Sequence, residues 1–164
     1  MARRSHHKTT ALTMTTALVV AAAVVGSLAS DPDAGYYSEL TKPSWNPPNA
    51  VFPVAWTTLY ADIALVTGLT LAQLREAARD EGGRRYLTAV VFNLALNGGW
   101  SWAFFQAENT ALAAGWAGVL AASSADLVRR TWRVSRAKGA LLAPYAAWTL
   151  FATALSGEIW RLNR

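Results

Sequence analysis

The chain has no cysteine and only two histidines, His6 and His7, both in a polar N-terminal tail. The first absence excludes disulfides, a thiolate nucleophile and any cysteine-ligated metal. The second leaves the rest of the chain without a histidine-based triad or zinc site, and two tail histidines alone make a poor metal site. Charge is scarce as well. Asp, Glu, Lys and Arg make up 15% of the 164 residues, against 53% apolar, where a soluble domain carries roughly 25% charged residues. The scarcity is uneven, because the charges cluster in short runs between long uncharged stretches. The net charge of +5 points to lipid headgroups rather than nucleic acid, since the basic residues flank apolar segments.

Five apolar stretches stand out, at about residues 10–29, 51–73, 86–105, 110–128 and 140–162. Helices of about 20 residues, rising ~1.5 Å each, cross roughly 30 Å of hydrocarbon. The first stretch also fits a signal peptide, with Ser27-Leu28-Ala29 as a small-x-small cleavage site. Pro53 falls in the first turn of the second stretch, where a missing N–H costs little. Runs this long suit helices, whereas a barrel needs short segments of alternating polarity. The expected fold is all-α: a five-transmembrane-helix bundle forming one integral membrane domain over residues 1–164, with an ordered loop at 30–50. That loop carries Pro32, Pro43, Pro47 and Pro48, together with Tyr36, Tyr37 and Trp45, residue types that favour the membrane interface. Residues 74–85 and 129–138 read as water-exposed loops, and Gln106-Ala107-Glu108-Asn109 as a short turn.

Basic residues set the expected orientation. Twelve fall in the N-terminal tail and the two charged loops (Arg3, Arg4, Lys8; Arg75, Arg79, Arg84, Arg85; Arg129, Arg130, Arg133, Arg136, Lys138), and three on the opposite side (Lys42, Arg161, Arg164). The bias predicts a multi-pass protein of the inner (plasma) membrane, N-terminus cytoplasmic and C-terminus outside.

Within the spans, spacing groups side chains on helix faces. Phe52, Trp56 and Tyr60 share one face of the second helix, Asn93, Asn97 and Trp100 one of the third, and Trp148, Ala152 and Leu155 one of the fifth. Facing one another, they would form either a flat, mostly apolar pocket with a few hydrogen bonds or a packing seam with asparagines bonding across it. The small residues at Gly98-Gly99 and Gly115-x-x-Gly118 suit close helix packing or a dimer surface. Asp62, near mid-span with no central cation, is expected either neutral among apolar neighbours or open to the polar end of a cavity. No residue set has the make-up of an acid–base or nucleophilic site.

The stretches KPSWNPPNAVFPVAWTTLY (42–60), NLALNGGWSWAFF (93–105), LLAPYAAWTLFATAL (141–155) and WRLN (160–163) resemble, in order and over nearly the whole chain after the first span, the tryptophan-rich sensory protein family. This family is also called the translocator protein or peripheral-type benzodiazepine receptor family. The resemblance implies a five-helix membrane bundle, often a homodimer, that binds porphyrin-type tetrapyrroles such as protoporphyrin IX and haem. It requires no cofactor and no metal. It also implies ligand-binding roles for Trp45, Phe52, Trp56, Tyr60, Asn97, Trp100, Trp148 and Ala152, with the loop around Trp45, Pro47 and Pro48 as a lid. Some members bind cholesterol, but here Ser156 and Gly157 stand where animal members carry asparagine and tyrosine, which weakens a sterol reading.

The function so implied is a membrane receptor or sensor that binds porphyrins and regulates tetrapyrrole or stress responses. The alternatives are a tetrapyrrole transporter and a light-dependent porphyrin-degrading enzyme. Degradation would call on Trp56 and Trp148. A transporter of one chain would ordinarily show matching half-repeats, and none is evident here.

Overall fold

The computed structural model describes residues 2–30 and 35–164. Met1 and residues 31–34, Pro32 among them, lie outside the described residues, as do the side chains of residues 2–5, including Arg3 and Arg4. The described chain is helical: α1 (Ala2–Ala29), α2 (Gly35–Glu39), α3 (Val51–Glu76), α4 (Asp80–Ser101) continued by a π-helical turn (Trp102–Gln106), α5 (Thr110–Val134) and α6 (Arg136–Leu162).

Among the described residues, four helices are long and apolar enough to cross a membrane: His6–Ala29 of α1, α3, α5 and α6. The fold is therefore an all-α, multi-pass membrane bundle. α4, expected as the third of five spans, is not among the four. Its first turns hold Asp80, Glu81, Arg84 and Arg85, two asparagines occupy its middle, and its apolar end passes into the π-helical turn.

The helices also run further than their apolar cores. Residues 129–138, expected as a loop, are helical except at Ser135. Asp126 explains the extension of α5: its carboxylate accepts hydrogen bonds from Arg129 and Arg130, three and four residues on, the spacing that supports a helix surface. Ser135 turns the chain with an extended backbone and caps α6 through its side chain. Much of residues 74–85 is helical too. α3 ends in a Schellman turn, in which Arg79 N–H donates to the Leu74 carbonyl and Ala78 N–H to that of Arg75. Ala78 takes the left-handed position there, at φ 52°, although glycine is the usual occupant.

The helices close on small residues. Gly68 of α3 meets α1 so tightly that an added Cβ would lie 2.6 Å from Thr15 Oγ1, and that hydroxyl donates to the Ala64 carbonyl across the same contact. Gly99 of α4 receives the Trp116 ring of α5. These approaches are what packing in lipid requires, where no hydrophobic drive separates helix from solvent. Gly115 differs, since a Cβ there meets nothing within 4 Å. The main core lies toward the basic-loop half of the bundle, around Ile63, Leu71, Val90, Leu127 and Leu142.

Candidate functional site

A cavity of about 440 Å³ opens in the other half of the bundle. The first of the three predicted faces builds one wall: Phe52, Trp56 and Tyr60 lie along α3, one turn apart. α6 faces them with Trp148, Ala152 and Leu155. The rings interlock, with Trp56 and Trp148 edge-on at 6.4 Å, Phe52 and Trp148 at 6.2 Å, and Trp56 tilted over Tyr60 at 5.4 Å between centroids.

α4 supplies Asn97 and Trp100, and the π-helical turn adds Phe104 and Phe105. The turn is closed by Ala107 N–H on the Trp102 carbonyl, the wider i→i+5 ring of a π-helical insertion. Trp100 stacks on Phe104 at 5.2 Å and anchors its indole N–H to the Ala113 carbonyl of α5.

The polar groups form one connected set. Tyr60 Oη donates to Asn97 Oδ1 (2.6 Å), Asn97 Nδ2 to Tyr145 Oη (3.2 Å), Tyr145 Oη to Asn93 Oδ1 (2.7 Å), and Asn93 Nδ2 to Ser124 Oγ (3.0 Å). Pocket and asparagine-bonded seam, posed above as alternatives, thus coexist. Asn97 belongs to both, and Asn93 lies wholly within the seam at 0% exposure. One polar group on the cavity wall has no partner: the indole N–H of Trp148 is buried and bonds to nothing among the described residues. A buried donor left unmade is costly.

Seven of the eight residues singled out from the sequence line this cavity; Trp45 does not. Its ring is 47% exposed and packs edge-on against Phe151, which in turn touches Trp148. From the loop, Tyr37 and Asn49 line the cavity instead. Tyr37 sits on α2, a short helix with no sequence signal beyond its two tyrosines, and packs against Phe104 and Phe105. Lys42 lies 4.3 Å above the Tyr37 ring. The loop is clasped to the end of α6 by Asn163, whose side-chain amide accepts from Thr41 N–H and donates to the Thr41 carbonyl, both at 2.9 Å.

Sequence reasoning missed the contribution of α1. Ala23, Gly26 and Ser27 of α1, with Ser30 just beyond its end, line the cavity, and their signal was the recurrence of small residues every three or four positions. Asp62 does not line it. One of its carboxylate oxygens is buried with no hydrogen-bond partner among the described residues, and the cavity-facing alternative for this residue is set aside because it is not on the wall.

Comparison with known proteins places this arrangement among relatives. The TspO/MBR family model matches residues 14–161. The chain is 37% identical over 133 residues to the "Tryptophan-rich sensory protein" of Cereibacter sphaeroides, covering 78% of this chain and 77% of the relative. It is 33% identical over 162 residues to "Protein CrtK" of Rhodobacter capsulatus, covering 93% and 94%. Similarity reaches the human "Translocator protein", at 35% over 132 residues, covering 78% and 75%.

Proposed function

Because the chain belongs to the TspO/MBR family, we propose that it is a membrane receptor for flat, largely apolar ligands of the porphyrin type, such as protoporphyrin IX or haem, that regulates tetrapyrrole or stress responses. The observation that carries this reading is the cavity wall of Phe52, Trp56, Tyr60, Trp100 and Trp148, whose rings suit a flat, largely apolar ligand. In this reading α4 with its π-helical turn is a fifth span, shielded from lipid by its neighbours where its asparagines lie. The positive-inside bias then puts the basic loops in the cytoplasm and the cavity in the outer half of the membrane. Trp45 acts from behind the wall, by holding Phe151 against Trp148. Assembly as a homodimer is part of the same proposal, and family membership supports it.

The edge-on pair Trp56 and Trp148 supports the second reading, light-dependent porphyrin breakdown, because two oxidisable rings would flank the bound macrocycle. One experiment separates the two. Purified protein is titrated with protoporphyrin IX, haem and cholesterol in darkness, followed by tryptophan fluorescence, and then illuminated. Saturable porphyrin quenching without product supports the receptor, and product that depends on light and on Trp56 or Trp148 supports the enzyme. Quenching that fails to saturate, or that Trp56→Ala leaves unchanged, removes both.

A further inference from the structure

Trp148 borders two spaces. One is the cavity; the other is an open groove of about 510 Å³ between α3 and α6. α3 serves both, with Phe52, Trp56 and Tyr60 lining the cavity and Val51, Ala55 and Thr58, on the adjoining face, lining the groove. The groove is apolar. Its one hydroxyl, that of Thr58, is spent on the Val54 carbonyl at 2.9 Å, while Val51 and Val54 stand 40% and 69% exposed along it. Both helices are long and apolar enough to cross a membrane. What meets this surface in the bilayer is therefore acyl chain, and what dissolves there is uncharged and apolar.

The seam between the two spaces is fastened at one end. Toward the basic loops, Lys138 Nζ of α6 donates to the Leu69 carbonyl (2.9 Å) and to Gln73 Oε1 (2.7 Å) of α3. Further along α6, Pro144 lacks the N–H that would bond back to the Ala140 carbonyl, and Trp148 follows one turn later. Trp100, Trp102 and Trp116 each fix their indole N–H on a backbone carbonyl of a neighbouring helix. Trp148 has no such bond among the described residues. Its ring meets α3 through edge-on contacts with Phe52 and Trp56, which are weak singly. On the other side of the cavity the loop is clasped to α6 by Asn163. We propose that the α3–α6 groove is the entry site of the cavity, where a flat, uncharged, apolar ligand dissolved in the bilayer docks and from which it passes inward as the Trp148 ring moves aside. This rests on the reading of the cavity as the ligand site, and adds the phase from which that site is filled.

The test plugs the groove and leaves the cavity alone. Ala55 and Thr58 line the groove and not the cavity, so Ala55→Phe and Thr58→Phe each add a ring outside the binding wall, and the second serves if the first misfolds. Stopped-flow tryptophan quenching on the full chain in lipid nanodiscs follows protoporphyrin IX dimethyl ester, whose carboxylates are masked, beside an equilibrium titration with protoporphyrin IX. A plug on the route raises one barrier and changes neither end state. Association and dissociation should therefore both slow, by about fivefold or more, at unchanged Kd. Asn163→Ala, which frees the loop, should leave both rates within about twofold. Unchanged rates in the plugged variants, a weaker Kd at unchanged association rate, or rates that rise in Asn163→Ala overturn the proposal, as does an ester that fails to bind where protoporphyrin IX binds. In those cases the porphyrin reading stands. If neither porphyrin binds, that reading falls and the entry route falls with it.

Discussion

Tyr145→Phe removes one oxygen and almost no volume, so it isolates the hydrogen-bonded seam from packing. Tyr145 is 0% exposed and bridges two asparagines, accepting from Asn97 and donating to Asn93. The substitution strands Asn93 Oδ1 and one N–H of Asn97. A buried polar group left unpaired costs about 1–3 kcal/mol. Asn93 has no route to water, whereas Asn97 lines the cavity and can be hydrated there, so its share falls at the low end. Hydrogen bonds between membrane helices average about 0.6 kcal/mol, because the unfolded chain in lipid finds partners too, which also lowers the total. The expected loss is about 2 kcal/mol. Tyr60→Phe strands one acceptor beside the cavity and should cost about half as much, about 1 kcal/mol. The assay is reversible unfolding in mixed micelles on titration with a denaturing detergent, with both variants and the unsubstituted protein run side by side. A loss below about 0.5 kcal/mol for Tyr145→Phe, or a larger loss for Tyr60→Phe, would refute the assignment of the buried network as a structural element graded by access to water.

Gly99→Ala should destabilise the bundle by about 1–3 kcal/mol, because its Cβ would fall 2.7 Å from Trp116 Cζ2 and displace an indole bonded to the Leu96 carbonyl; thermal unfolding in detergent reads this. Ala78→Gly should act the other way and stabilise by about 1 kcal/mol, by relieving a left-handed alanine in the α3 Schellman turn. An unchanged or lowered midpoint would contradict it. Asn163→Ala should raise amide hydrogen exchange in residues 35–50 while leaving α3 to α6 protected, since it opens both bonds to Thr41. Trp56→Ala should weaken porphyrin binding at least tenfold, about 1.4 kcal/mol, as read by fluorescence quenching.

The cavity was legible in sequence where its residues keep helical spacing. Phe52, Trp56 and Tyr60 recur every four residues and do share a wall, as do Trp148, Ala152 and Leu155. Spacing stopped helping where the backbone left the α-helix. Phe104 and Phe105 line the cavity from a π-helical turn, and no periodicity announces such a turn. α1 hid for another reason: its contribution is the room that Ala23, Gly26 and Ser27 leave, and small residues in a span look the same whether they line a space or fill one. α4 shows the opposite failure. Its polar Asn93 and Asn97 lower its apolar character as a span, yet they are what the neighbouring helices bond to. Residues 129–138 read as a loop because their charge was taken for solvent exposure, when the Asp126 carboxylate uses two of the arginines to continue the helix.

The Asn163 clasp bears on the order in which the protein is made. It joins residues 122 apart in the chain, so it cannot form until α6 has been synthesised and inserted. The same helix brings Trp148 and Leu155 to the cavity wall. A nascent chain halted before α6 would hold the rings of α3 and α4 in the membrane with nothing opposite them and the first loop untethered. Ligand present during synthesis would thus meet an open trough, which the last helix closes into a chamber.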